Sequence, residues 1–202
     1  MTGPRLDFWY EFASTYSYLA AMRIEAAAAD AGVTIGWRPF LLGPIFVAQG
    51  WTTSPFNLYR AKGRNMWRDM ERQCEKLGLD LVRPETFPQN GLQAARLALV
   101  GVDDGWCPEF TKRVYSAEFA GGKDISEPDT LTGILDDMGL NAETVWSRAQ
   151  SPENKARLKA ETETAISLGI YGAPSFVTAD GELFWGNDRL EDALDWARAV
   201  QA

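Results

Sequence analysis

The pattern of apolar positions at the start of the chain predicts a strand, a helix and a second strand. Leu6 to Phe12 is a nearly continuous aromatic and aliphatic run, which is typical of a buried strand. Tyr18 to Ala31 is dense in Ala and Leu and predicts a helix that ends at Gly32. A second strand is predicted over Val33 to Trp37, and Pro39 closes the extended run.

The middle of the chain predicts helices. Tyr59 to Leu77 carries apolar residues at helical spacing, namely Met66, Met70, Cys74 and Leu77. On another face of this helix an arginine recurs every four residues from Arg60 through Arg64 and Arg68 to Arg72, and we expect a solvated face with i,i+4 ion pairs. Five further helices are predicted at Gln93 to Val100, Phe110 to Phe119, Pro128 to Met138, Ala142 to Ala149 and Pro152 to Leu168.

Short extended runs return near the C-terminus. Two of them, joined by a turn at Ala179 to Gly181, predict a β-hairpin that is followed by a last helix. Strands at both ends of a helical middle indicate an α/β fold. We expect residues 1–45 and 165–202 to form one α/β domain and residues 46–164 to form an all-helical insertion.

Residues 39–59 carry no charged side chain and are rich in aromatic ones: Phe40, Phe46, Trp51, Phe56 and Tyr59. An uncharged aromatic segment of this length is uncommon in a loop. Two interpretations stay open. The segment is either a loop packed onto the core or the wall of a pocket for a flat aromatic substrate.

Composition narrows the possible functions. The net charge of -8 and the pI of about 4.7 disfavour nonspecific nucleic-acid binding, which depends on Lys and Arg. No apolar run is long enough to span a bilayer and no secretory leader is visible, so a cytoplasmic protein without a membrane partner is expected.

The chain contains no histidine and only two cysteines, Cys74 and Cys107, which lie far apart. Ser-His-Asp and Cys-His nucleophiles and histidine-ligated metals are therefore excluded, and we expect no metal. The two cysteines form no Cys-x-x-Cys motif and are expected to behave as small hydrophobic residues.

Ser14 and Thr15 stand where the first strand meets the first helix. A Ser or Thr at this position caps the free helical amides, and the same amides and helix dipole favour an anionic ligand. Both interpretations can hold together.

Three motifs in order along the chain resemble the 2-hydroxychromene-2-carboxylate isomerases. They are the Asp7 to Ala20 stretch with Ser14-Thr15-Tyr16-Ser17, the Gly169 to Phe176 loop Gly-Ile-Tyr-Gly-Ala-Pro-Ser-Phe, and Trp185-Gly186-Asn187-Asp188-Arg189. These isomerases are relatives of the kappa-class glutathione transferases and of DsbA. The resemblance implies a thioredoxin-like fold with a large all-helical insertion, in which Ser14 to Ser17 replaces the redox Cys-x-x-Cys.

The resemblance also implies a glutathione site. Ser14 would contact the glutathione sulfur, and Ala173, before a cis Pro174, would offer its backbone to the ligand. Trp185, Asn187, Asp188 and Arg189 would meet the γ-glutamyl end, although on local grounds Asn187 or Asp188 also suits a helix cap. Lys62 lies in a Lys-x6-Asp-x2-Arg pattern with Asp69 and Arg72, and would meet glutathione or the substrate.

The function implied is a glutathione-dependent isomerase that interconverts 2-hydroxychromene-2-carboxylate and trans-o-hydroxybenzylidenepyruvate, or a related aromatic compound, by reversible thiolate addition. Phe46, Trp51, Phe56 and Lys62 would form the substrate pocket, and Lys62 or Arg64 would supply a cation for the substrate carboxylate, unless the substrate is neutral. The alternatives are a kappa-like glutathione transferase and a redox-inactive module that binds glutathione or a peptide. The family implies a homodimer.

Overall fold

A four-stranded mixed sheet carries the fold in the computed structural model, which describes residues 3–200. The strands are β1 (Arg5–Tyr10), β2 (Thr34–Pro39), β3 (Ser175–Thr178) and β4 (Leu183–Trp185). Their order in the sheet is β2-β1-β3-β4, with β1 parallel to β2 and antiparallel to β3, and β3 antiparallel to β4. The predicted strand–helix–strand start and the predicted C-terminal hairpin are both confirmed.

Helix α1 (Thr15–Ala31) is the crossover between the parallel strands β1 and β2. It ends at Gly32, whose φ of 66° lies in the left-handed region that glycine adopts without strain. The last helix, α10 (Leu190–Ala199), follows a 3-10 turn at Asn187–Arg189 and packs against α1, β1 and β3. The starts of α1 and of the 3-10 turn therefore lie close together beside the sheet.

The remaining helices come between β2 and β3 in the sequence: α2 (Leu42–Ala48), α3 (Pro55–Leu58), α4 (Arg60–Leu77), α5 (Leu92–Asp104), α6 (Cys107–Tyr115), α7 (Pro128–Asp137), α8 (Ala142–Ala149) and α9 (Pro152–Ser167). A π-helical turn at Ser116–Ala120 extends α6. Each predicted helix is present to within a few residues at either end.

The interpretation of residues 39–59 as a loop was wrong in part, since α2 and α3 lie within it. Helix α2 buries Leu42 and Ile45 in a small apolar cluster with Trp9 and Phe40, and this packing outweighs its weak local helical pattern. A proline at the start of α3 and the capping side chain of Ser54 favour that short helix.

Two details predicted for α4 were also wrong. Leu77 is 36% exposed, so the buried stripe ends at Cys74. The arginines form i,i+3 pairs, Arg68 with Glu71 and Arg72 with Asp69, rather than the expected i,i+4 pairs. The face is nonetheless solvent-exposed, as expected.

One large core joins the sheet to the helices. Phe8 and Tyr10, which point to the same face of β1, pack in one cluster with Phe110 and Tyr115 of α6. The neighbouring Trp9 points to the opposite face and belongs to the small cluster with α2. The division into residues 1–45 with 165–202 and residues 46–164 stays a prediction, and the core crosses that division.

Cys74 and Cys107 are buried free thiols. Burial raises the pKa of each to about 11, so both remain protonated near neutral pH and are poor nucleophiles. Over residues 3–200, none of the helices has both the length and the apolar content that crossing a bilayer requires.

Candidate active site

A cavity of about 1370 Å³ opens beside the start of α1. Six separate parts of the chain line it, together with Arg23 of α1 and Glu191 of α10: the β1–α1 junction, residues 41–56, one face of α4, residues 87–92, and the loops at 171–173 and 185–188. The motifs that lie far apart in the sequence therefore meet in one place.

Ser14 joins the first helix to the proline loop. Its Oγ accepts a hydrogen bond from the amide of Ser17 at 3.2 Å and donates one to the carbonyl oxygen of Ala173 at 2.9 Å. The predicted cap is confirmed. A hydroxyl has one proton, so donation to an anion in the cavity requires the hydroxyl to turn away from Ala173.

The peptide bond between Ala173 and Pro174 is cis, as predicted. Ala173 lines the cavity beside Ser14, whereas Pro174 is not among the lining residues. The Pro174 carbonyl instead accepts from the amide of Gly186 at 2.9 Å, which ties this loop to the start of the 3-10 turn. A second cis bond, between Phe87 and Pro88, was not predicted.

Trp185 lines the cavity and is about half exposed. Its ring lies 5.0 Å from that of Tyr171, and its indole nitrogen lies so close to Gly172 that a side chain at Gly172 would overlap it. Because Gly172 has no side chain, the ring of Trp185 can pack against the backbone at this position.

The interpretation of Asn187 or Asp188 as the cap of the last helix was wrong, since no side chain caps the 3-10 turn or α10. The Asn187 side-chain oxygen accepts from Arg23 Nε at 2.9 Å instead. Both residues line the cavity. Asp188 is exposed and pairs with Arg189 at 3.3 Å.

Arg189, which the resemblance assigned to the glutathione site, is not among the residues that line the cavity. Its guanidinium bonds Asp192 at 2.9 Å on the outer face of α10. Arg23 supplies a cation at the cavity in its place, because it bonds both the side chain and the carbonyl of Asn187 and pairs with Glu191. No local pattern distinguishes Arg23, since its partners lie more than 160 residues away.

Three aromatic residues that the sequence placed in the substrate pocket, Phe46, Trp51 and Phe56, do line the cavity. The rings of Phe46 and Trp51 lie 5.5 Å apart, and Phe56 lies 6.4 Å from Tyr16. Phe87 adds a further apolar side chain that the sequence did not indicate. These residues form a mainly uncharged part of the cavity lining, which we call the aromatic wall.

Lys62 lies at the cavity, near the start of α4, with its Nζ 4.9 Å from the centre of the Tyr59 ring. Neither Arg60 nor Arg64 is among the lining residues, so of the two cations considered from the sequence only Lys62 is suitably placed. A contact between Lys62 and either glutathione or the substrate stays a prediction.

Asp69 lies about two helical turns beyond Lys62 in α4 and also lines the cavity. It accepts from the Tyr16 hydroxyl at 2.9 Å and from Arg72 at 3.1 Å. Burial, followed by the hydrogen bond to Asp69, raises the pKa of Tyr16 well above its usual value. Tyr16 therefore stays a neutral phenol, and its hydroxyl group donates a hydrogen bond to Asp69.

Glu11 is a lining residue that the sequence did not single out. Burial raises the pKa of its carboxyl group to about 8, against the smaller opposing effect of a hydrogen bond from the Ala13 amide. The local sequence Tyr-Glu-Phe carries no sign of this burial, because the surrounding groups come from distant parts of the chain.

The sheet order, the cis-proline loop beside the start of α1 and the helices inserted between β2 and β3 define a thioredoxin-like protein. The model of the DSBA-like thioredoxin domain matches residues 5–195, and the chain belongs to this family.

Named relatives agree with this assignment. The chain is 29% identical to a 2-hydroxychromene-2-carboxylate isomerase of Sphingobium xenophagum, over 92% of this chain and 94% of that protein. It is 25% identical to glutathione S-transferase kappa 1 of Caenorhabditis elegans, over 98% and 92% of the two chains. The solved structure of a 2-hydroxychromene-2-carboxylate isomerase superposes with a TM-score of 0.85 at 24% identity, over 98% of this chain and 95% of that one.

Proposed function

We propose that this protein is a glutathione-dependent isomerase that acts on 2-hydroxychromene-2-carboxylate or a related aromatic compound. One observation carries the proposal: a single cavity is lined both by the hydrogen-bonded pair Ser14 and Ala173 and by the residues of the aromatic wall. A thiol ligand and a flat conjugated substrate can therefore lie next to each other. The similarity to relatives named as isomerases and as glutathione transferases supports the same class of reaction.

The residues present fit glutathione. The exposed carboxylate of Asp188 suits the ammonium of the γ-glutamyl end, and Asn187, fixed by Arg23, suits its carboxylate. Ala173 lines the cavity, and its carbonyl, which accepts from Ser14 in this structure, would accept from a peptide amide of the ligand. The fit is thus carried by groups from two loops and from α1.

When bound, glutathione would supply a thiolate that adds reversibly to the conjugated double bond of the substrate. Ser14 lies at the start of α1, where the amides of Thr15 and Tyr16 have no intrahelical acceptor. These amides, the helix dipole and the Ser14 hydroxyl would stabilise a negative charge here. The aromatic wall would hold the ring of the substrate and exclude water, and Lys62 would meet its carboxylate.

The first experiment is a calorimetric titration with glutathione, followed by product analysis with isotope-labelled glutathione and 2-hydroxychromene-2-carboxylate. Binding in the micromolar to millimolar range, with all label recovered in free glutathione and trans-o-hydroxybenzylidenepyruvate as product, is the expected result. Absence of glutathione binding would overturn the proposal.

A kappa-like transferase is the second candidate, favoured by the similarity to the C. elegans kappa transferase over nearly the whole chain. The same experiment separates the two, because a transferase leaves the label in an aromatic conjugate. Binding without turnover of any aromatic enone would instead identify a redox-inactive binding module.

A further inference from the structure

Glu11 is held rigidly beside the reacting end of the cavity. It lies between the end of β1 and the start of α1, three residues before Ser14. Its backbone carbonyl accepts from both the Ser14 amide at 3.0 Å and the Tyr115 hydroxyl at 2.9 Å. The main chain of Glu11 is therefore tied to the residue that would meet the thiol and to the core helix α6.

The carboxyl group of Glu11 has one oxygen hydrogen-bonded to the protein and the other next to Gly91, which also lines the cavity. Oε2 accepts from the Ala13 amide at 3.0 Å. Oε1 lies against Gly91, where a side chain would place its Cβ 2.9 Å from this oxygen and 3.0 Å from Cβ of Phe12. Glu11 and Gly91 both line the cavity, so a glycine here leaves room for the carboxyl group.

The groups around Glu11 do not favour its charged form. The titratable groups that face it are Tyr115 of α6 and Glu118 of the π-helical turn, and both of these are themselves buried acids. Neither is a cation. Burial dominates, so the pKa of Glu11 rises to about 8 and the group keeps its proton near neutral pH.

We infer that Glu11 is a catalytic general acid and base that donates its proton to the carbonyl oxygen of the aromatic enone during isomerisation and then accepts this proton again. The inference rests on the proposed function. It adds a role for a carboxylic acid that has no counterpart among the residues expected from the sequence.

The proton and electron balance closes within the site. In the ring-opened form of the substrate, formed when the ring C–O bond breaks and the hydroxyl proton passes to the phenol oxygen, a C–S bond to the glutathione thiolate would displace the π pair onto the carbonyl oxygen. The O–H bond of Glu11 breaks and an O–H bond to that oxygen forms, so the substrate becomes a neutral enol that rotates about its new single bond. Glu11 then recovers the proton, the double bond re-forms and the C–S bond breaks, with nothing oxidised or reduced.

The decisive variant is Glu11→Gln, which keeps the size of the side chain and an acceptor for the Ala13 amide but carries no transferable proton. We expect kcat to fall about 100-fold, the lower end of what general acid catalysis contributes, while the Kd for glutathione changes less than twofold. Glu11→Asp should recover part of the lost rate. Glu118→Gln is the matched control, because it also replaces a buried carboxylic acid with an amide but lies outside the lining, and its kcat should stay within about threefold of wild type.

The pH profile of kcat gives a sharper test. In the wild type the rate should fall as pH rises through about 8, where Glu11 loses its proton, and this alkaline limb should be absent from Glu11→Gln. An unchanged limb, or a kcat near that of wild type, would overturn the role of Glu11 while leaving the proposed function intact.

A readout without turnover keeps the two proposals separate. Infrared difference spectra between wild type and Glu11→Gln, recorded from about pH 3 to 10 without substrate, should show a carboxylic acid band that disappears with a midpoint near 8. A midpoint near the ordinary value for glutamate would overturn the inference whatever the enzyme does. A wild type that binds no glutathione and turns over no enone would overturn the proposed function itself, and the catalytic role with it.

Discussion

At the scale of single residues, the site depends on side chains that serve the fold and the ligand together. Ser14 caps α1 and bonds Ala173 across 159 positions of sequence, so it joins the first motif to the second. Asn187 is held by Arg23 rather than serving as a helix cap. Because these side chains both stabilise the fold and border the cavity, stability and activity must be measured separately for each variant.

Ser14→Ala should keep the fold and lower activity. Loss of the cap costs about 0.5–2 kcal/mol, while loss of a hydroxyl donor to a thiolate costs about 1.5–3 kcal/mol, or ten- to a hundredfold in rate. The measurement is kcat with saturating glutathione, alongside chemical denaturation.

The matched control is Ser151→Ala, which removes the cap that accepts from the Asn154 amide at 3.1 Å in α9, outside the cavity lining. It should show a similar loss of stability with unchanged kcat. Full activity of Ser14→Ala would rule out a role for the hydroxyl in the reaction.

Lys62→Ala should weaken binding of a carboxylate substrate but not of its methyl ester. A partly desolvated charge pair contributes about 1.5–3 kcal/mol, so KM for the acid should rise about ten- to a hundredfold. Arg64→Ala is the control, because Arg64 lies on the same helix but outside the lining. Equal handling of acid and ester by wild type and Lys62→Ala would mean that the substrate is a neutral aromatic enone.

At the scale of elements, close backbone approach at one helix start shapes the aromatic wall. Gly63 in α4 lies so near the Phe56 carbonyl that any Cβ at position 63 would overlap it. Because the obstructing atoms belong to the backbone of α3, they cannot move aside by a change of rotamer. The position of Phe56 in the wall thus depends on a glycine one helix away.

Gly63→Ala should therefore destabilise the protein, although alanine favours a helix more than glycine does. The expected loss is about 1–3 kcal/mol from overpacking, with a raised KM for the aromatic substrate as α3 shifts. Gly133→Ala is the opposite control, since position 133 in α7 is exposed and has open space for a Cβ; it should stabilise by about 0.5–1 kcal/mol. Urea denaturation of both variants checks the pair, and equal effects of the two would contradict the packing argument.

At the scale of the whole molecule, the core contains an acid that the fold must keep neutral. Glu118 is fully buried, and neither of its carboxyl oxygens has a hydrogen-bond partner among the described residues. Burial, followed by the nearby Glu11 and Asp124, raises the pKa of Glu118 well above its usual value. Folding is thus linked to retention of a proton.

The sign of this linkage predicts the pH dependence of stability. Above about pH 4.5 the unfolded chain loses the Glu118 proton while the folded chain retains it, so this group makes stability fall as pH rises, by up to about 1.4 kcal/mol per pH unit. Glu118→Gln should abolish that contribution. The difference in unfolding free energy between variant and wild type should widen in favour of the variant from pH 4.5 to 8, and parallel curves over this range would show that Glu118 ionises in the folded state as it does in the unfolded chain.

Sequence by itself determined the elements and the motifs of this protein, because periodicity, glycine stops and caps act over a few residues. Strands β1 and β2, the ends of the predicted helices to within a few residues, and the Ser14 cap are as predicted, and the family resemblance implied the cis bond before Pro174. The aromatic residues Phe46, Trp51 and Phe56 line the cavity, and their contact with a substrate stays a prediction.

Only the tertiary structure decided which groups meet there. Arg23 bonds Asn187, Arg189 bonds Asp192 outside the lining, and Glu11 lies against Gly91 and Tyr115. A pKa depends on how completely neighbouring atoms displace water, and for Glu11 those atoms include residues 80 and 104 positions away. The local sequence does not show how far water is displaced around a side chain, so the raised pKa of Glu11 could be recognised only in the folded structure.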